Sequence, residues 1–132
     1  MMFEAINPTD IHKTSGYSHA VRMGDIVFVA GQVAFDEHGE LVGSGDLRAQ
    51  VEQVFRNIKT VVEAAGSSMD RIGKLNVLAL SDESLPILRE VRNRIWEPFG
   101  YVPASTFAIV AGLASPEFLI EIEAIAYVDH PG

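Results

Sequence analysis

The 132-residue chain predicts an α+β fold, a single sheet with two helices on one of its faces. Three observations lead there. Apolar residues recur at spacings of three and four in two separate stretches, the mark of two amphipathic helices. Short β-branched runs lie around and between them, giving the order β-β-α-β-α-β-β. Two of those runs, Ile26-Val27-Phe28-Val29-Ala30 and Phe107-Ala108-Ile109-Val110-Ala111, are apolar without alternation and are expected to be covered on both faces.

Residues 18–23 and 26–35 read as strands joined by a tight turn at Gly24-Asp25, and Asp36-Glu37-His38-Gly39 forms a second turn. A loop over 41–45 ends at Asp46, a good N-cap. Beyond it Leu47, Val51, Val54, Ile58, Val61 and Ala65 share one helical face, and Gly66 stops the helix at its C′ position. Residues 72–80 are apolar and β-branched enough for a third strand. Ser81 or Asp82 is expected to cap the second helix, where Pro86 is tolerated in the first turns. Leu85, Leu88, Val91 and Ile95 lie on one side of that helix, which fades near Pro98-Phe99-Gly100. Residues 105–111 and 118–128 are the last two strands, and the final one alternates cleanly. Two helices can cover only one face of such a sheet. The simplest cover for the other is a further copy of the chain.

The length fits one domain spanning 1–132, large enough to bury a core without staples. Cysteine is absent, which removes disulfides and thiolate chemistry. The opening residues lack a basic stretch followed by an apolar one, so no signal peptide is expected. No apolar run approaches the ~18 residues of a membrane span. A soluble cytoplasmic protein is the expectation. The net charge of −8 argues against nucleic-acid binding, which draws on clustered Lys and Arg. Arg89, Arg92 and Arg94 alternate with Glu90 and Glu97 and read as a solvated helix face. His12, His19, His38 and His130 have no ligand-like spacing, so no metal is expected, and His19 is read as a surface residue. Gly43-Ser44-Gly45 follows no phosphate-loop pattern and reads as a plain loop.

Several motifs, in order along nearly the whole chain, resemble the Rid/YjgF (reactive intermediate deaminase) family. They are Gly16-Tyr17-Ser18-His19-Ala20-Val21, the run from Gly24 to Ala30-Gly31-Gln32, Gln53-Val54-Phe55-Arg56-Asn57-Ile58, Pro103-Ala104-Ser105-Thr106 and Ile120-Glu121-Ile122-Glu123-Ala124-Ile125-Ala126. The resemblance implies a chorismate-mutase-like (YjgF-like) fold and a homotrimer whose sheets form a central barrel. It also implies a small-molecule cleft at each subunit interface. Well-known members hydrolyse enamines and imines to 2-keto acids and ammonia without cofactor or metal.

Carried over by position, Glu121 matches the glutamate thought to activate the hydrolytic water, and Tyr17 a tyrosine lining the cleft from the neighbouring subunit. Gly31 matches a glycine whose N–H faces the substrate; it also reads as a strand glycine allowing close packing. Read without the resemblance, Glu121 and Glu123 share the outer face of a strand, where they are either solvated or, in an apolar cleft, raised in pKa. Ser105 stands where active relatives hold the substrate carboxylate with an arginine. Thr106 follows it, and Phe107 stands at a position often held by cysteine. Leu88 and Ala30 stand where asparagine and serine are common. A hydroxyl cannot replace a charged fork, and losing one partner of such a pair costs about 2–5 kcal/mol. The less polar cleft reads either as drift after loss of function or as a changed ligand. With an acid and no fixed cation, it is expected to favour neutral or cationic ligands, unless Arg22, Arg89 or Arg92 reaches it. The expected activity is an imine or enamine hydrolase of altered substrate. The alternative is a non-catalytic trimer that binds a metabolite or a protein.

Overall fold

The computed structural model describes residues 3–129, so Met1, Met2 and His130 lie outside them. The elements are β1 (Phe3–Ile6), β2 (Ala20–Met23), β3 (Ile26–Gln32), α1 (Leu47–Ala64), β4 (Ile72–Ala79), α2 (Ser84–Trp96), β5 (Ala104–Ile109) and β6 (Ile120–Tyr127). They build one six-stranded sheet in the order β1-β2-β3-β6-β4-β5. Every pairing is antiparallel except β4 with β5, whose parallel alignment needs a crossover, supplied by α2.

The α+β class and both helices stand as expected, with one strand added. β1 pairs with β2 from Phe3 opposite Met23 to Ile6 opposite Ala20. Only Ile6 of its four residues is buried, so the segment shows no apolar period to read. The five strands read from the sequence are all shorter than expected: β2 begins at Ala20 rather than 18, and β4 ends at Ala79 rather than 80. β3 stops at Gln32 rather than 35, because its register with β6 shifts between Val29 and Gln32 and the chain turns so that Phe35 bridges Leu41. β5 ends at Ile109 rather than 111, and β6 spans 120–127 rather than 118–128.

Asp46 caps α1 as expected, its carboxylate accepting from the Ala49 N–H at 3.1 Å. Val51, Val54, Ile58 and Val61 are fully buried on the face turned to the sheet. Two polar residues are buried with them because each fastens a loop. The Gln50 side chain donates to the Gly43 and Glu117 carbonyls and accepts from the Leu119 N–H, while Asn57 donates to the Val33 and Phe35 carbonyls. At α2 the N-cap position falls on Glu83, with no side-chain cap bond, rather than on Ser81 or Asp82. Ser81 instead accepts from the Glu83 N–H and holds the turn before the helix. Trp96, at the end of α2, is fully buried, donating from Nε1 to the Met69 carbonyl at 2.9 Å and packing edge-on against Phe55.

Both helices pack on the face formed by Val27, Val29, Leu75, Val77, Ile122 and Ala124, which are buried. The opposite face carries Phe3, Met23, Ile26, Phe28 and Tyr127, all exposed; Phe28 is 43% accessible where its neighbour Val27 is 0%. The non-alternating run in β3 is thus covered on one face only within a single chain. No helix among the described residues is long and apolar enough to cross a membrane.

Candidate functional site

The alternation of β6 buries Ile120, Ile122, Ala124 and Ala126 under the helices and turns Glu121 and Glu123 to the open face. Glu121 pairs with Leu78 of β4, and its side chain leans the other way, over β3. The reason is Gly31. A Cβ at that position would stand 2.4 Å from Glu121 Oε2 and 2.8 Å from its Cγ, so only glycine leaves the acid room to lie there. Glu121 is half-buried in consequence. Burial first, and the nearby Glu123 charge second, push its pKa above the ordinary carboxylate value.

Gly31 is held from behind by a polar network. The Ala30 N–H donates to the His19 carbonyl at 2.8 Å, and Gln32 Nε2 reaches both the Ala30 carbonyl and His19 Nδ1 at 3.2 Å. His19 Nε2 lies 2.6 Å from the His12 carbonyl, so a ring protonated on Nε2 satisfies both contacts. His19 is therefore buried, not a surface residue, and it stacks edge-on against His12 at 4.8 Å. Burial, then the His19 charge, lowers the His12 pKa, with Asp36 acting in the opposite direction. Among the described residues no group of three metal-ligating side chains gathers.

Ser105 and Phe107 occupy a different place. The parallel register sets Ser105 beside Leu75 and Phe107 beside Val77, both of which point at the helices. Phe107 packs against the core. Thr106 sits beside Asn76 on the open face, its hydroxyl 2.6 Å from Lys74 Nζ. Above Ser105 lies Arg92 of α2, whose Nη1 donates to Ser105 Oγ at 3.2 Å. Of Arg22, Arg89 and Arg92, the three cations the sequence left open, Arg92 is the one found bonded to Ser105 among the described residues. Arg92 makes no ion pair among the described residues, and its buried Nε has no hydrogen-bond partner. Burial, then the neighbouring Arg89 charge, lowers its pKa from the ordinary value. Arg22, by contrast, folds back to its own turn, donating to the Gly24 carbonyl.

One chain thus brings together Glu121, Gly31 and Ala30 on the open face, and Ser105, Phe107 and Arg92 on the helix side of the β5 edge. Two strand spacings separate β6 from β5, about 10 Å. Leu88 joins neither group at the surface: it is fully buried in the core beneath α2, because it shares the helix face of Val91. Tyr17 stands exposed in the loop before β2, where Thr14 Oγ1 donates to its carbonyl.

Sequence reading named Arg92 only as one of three arginines that could reach the cleft, and it missed the roles of His19 and Gln32. A signal for Arg92 was present: position 92 lies four residues after Leu88 and so on the apolar stripe, off the solvated side where Arg94 pairs with Glu90. For His19 and Gln32 a single sequence offers no comparable signal.

Comparison with known proteins places this fold among relatives. A RutC family protein of Pyrococcus abyssi is 37% identical over 112 residues, covering 84% of this chain and 85% of that protein. A 2-iminobutanoate/2-iminopropanoate deaminase of Dermatophagoides farinae is 31% identical over 86% of each chain. The crystal structure of RidA from the Antarctic bacterium Psychrobacter sp. PAMC 21119 superposes with a TM-score of 0.85 at 35% identity, covering 95% of this chain and 99% of that one. Residues 8–128 match the Endoribonuclease L-PSP family model, and the chain belongs to that family, the Rid/YjgF group its motifs resemble.

Proposed function

We propose that the protein is a small-molecule hydrolase that acts on imines or enamines in clefts between copies of the chain. The observation that carries this reading is Glu121, a half-buried carboxylate of raised pKa laid over Gly31. A general base needs a pKa moved toward the working pH and a place where water can reach it. In the proposed reaction Glu121 takes a proton from water as the water oxygen bonds to the imine carbon, and returns it to nitrogen to give a carbinolamine. Glu121 then takes the hydroxyl proton and passes it to nitrogen as the C–N bond breaks, leaving a ketone and ammonia. Tyr17, Ala30 and Gly31 line this side of the cleft; Ser105 and Phe107 line the other, with Thr106 beside them on the open face of β5 and Leu88 supporting them from the core.

Because Glu121 and Ser105 lie on different faces of one sheet, a cleft holding both takes residues from two chains. The open apolar face around Phe28 gives the chain a reason to associate, and a closed ring of three is the proposed assembly. Ser105 at the position of the relatives' arginine points to a substrate whose anchoring differs from theirs. The mite relative's name supports the reaction class, applied to that protein.

The test is hydrolysis of 2-iminobutanoate generated in situ by an amino-acid oxidase, followed as 2-oxobutanoate. Wild type is expected to exceed the uncatalysed rate, and Glu121→Gln to lose about a hundredfold or more. Equal rates in the two proteins would overturn the assignment of Glu121. Ligand binding without turnover in wild type would leave a binding protein instead.

A further inference from the structure

We infer that Arg92 and Ser105 together form a carboxylate-binding pair, with the cation supplied by the crossover helix instead of the edge strand. The inference rests on the hydrolase reading only for the identity of the anion, a small 2-imino or 2-oxo acid.

The geometry gives the reasons. Arg92 carries five N–H donors, of which one, on Nη1, reaches a protein acceptor, Ser105 Oγ at 3.2 Å. Two neighbouring arginines find a partner: Arg48 and Arg94 both pair with Glu90. Arg92 has no carboxylate within ion-pair distance among the described residues, and Arg89, three residues earlier, adds a second positive charge. A guanidinium held partly out of water without a counter-ion attracts an anion from outside its own chain.

Ser105 completes the pair. Its oxygen accepts from Arg92, which leaves its own O–H free to donate. A carboxylate meeting both would take one hydrogen bond from the hydroxyl and one from a remaining guanidinium N–H. The serine thus directs the planar cation, and the two share the task that one arginine would perform alone. The parallel β4–α2–β5 unit fixes their separation, since α2 is the connection between the paired strands.

The experiment compares 2-oxobutanoate with its neutral amide by calorimetry on wild type, Arg92→Met, Arg92→Lys and Ser105→Ala. Methionine keeps most of the apolar stem, and circular dichroism with light scattering confirms that each variant folds and assembles as wild type does. In wild type the acid is expected to bind more tightly than the amide. Arg92→Met is expected to weaken acid binding by about ten- to a hundredfold and to leave the amide unchanged, the lower end of what breaking a charge pair does, because this one is half-exposed. Arg92→Lys is expected to restore part of the loss, and Ser105→Ala to weaken the acid by less than Arg92→Met. Equal binding of acid and amide in wild type, or full acid binding by folded Arg92→Met, would overturn the inference. Its failure is separable from that of the hydrolase reading: turnover that depends on Glu121 but ignores Arg92 sinks only the anchor, while acid binding through Arg92 without turnover sinks only the reaction.

Discussion

The two faces of the sheet are built from nearly the same kinds of side chain and end in opposite circumstances. On one face Val27, Leu75, Val77 and Ile122 are sealed beneath α1 and α2. On the other, Ile26, Phe28 and Tyr127 are as apolar yet stand open, with Glu121 and Glu123 among them. An antiparallel sheet with one solvated face ordinarily alternates apolar and polar residues. Where that alternation is missing, apolar side chains are left without cover in the single chain. The sealed face explains why the chain folds, and the open face is what supports the proposed association of copies.

That contrast can be broken in steps. The largest effect is expected on the sealed face. Leu75→Ala empties a fully buried site beneath the helices and should lower unfolding free energy by about 2–5 kcal/mol, read from urea denaturation at constant m-value. A loss under 1 kcal/mol would mean that β4 is not central to the core. On the open face, Phe28→Lys should change the stability of the isolated chain by only about 0.5 kcal/mol, as exposed sites do. It should nevertheless bring the mass in light scattering down toward the 14.4 kDa of one chain. A variant that keeps the parent's assembly would show that Phe28 is not part of the contact.

The smallest effect concerns the acid between those apolar residues. Burial raises the Glu121 pKa in the folded chain, so its protonated form favours folding and its ionised form opposes it. This contribution is fully present below the ordinary value of 4.5 and is lost as pH rises through the raised one. Glu121→Gln should therefore melt slightly above wild type at pH 7, with the gap closing as pH falls through the raised value and gone below 4.5. A gap that widens in acid would show that the carboxylate is stabilised as an anion.

How legible this molecule was in its sequence follows from the same physics. The helices were readable because Val51, Val54, Ile58 and Val61 repeat with the helical period, and β6 because its apolar residues alternate. Glu121 stood out as the polar member of that alternation. β1 was not readable, since three of its four side chains are exposed and its identity depends on pairing with β2. Neither was the burial of His19, whose polar atoms are satisfied by the His12 carbonyl and Gln32, partners seven and thirteen residues away. Arg92 was left as one of three possible cations for a subtler reason. Charge composition describes a helix as a whole, whereas what an arginine does depends on which stripe of that helix it occupies.

The position of β6 in the sheet has a consequence for how the protein is made. The strands that emerge first from the ribosome form two separate pieces: the β1-β2-β3 meander, and β4 beside β5. β6 comes last of the six and slots between β3 and β4, joining the pieces. Until it arrives, both pieces present a bare backbone edge, and the helices have no continuous surface to cover. The sheet is continuous only once β6 is in place, so a chain cut before β6 is expected to leave the edges of β3 and β4 open to wrong pairing.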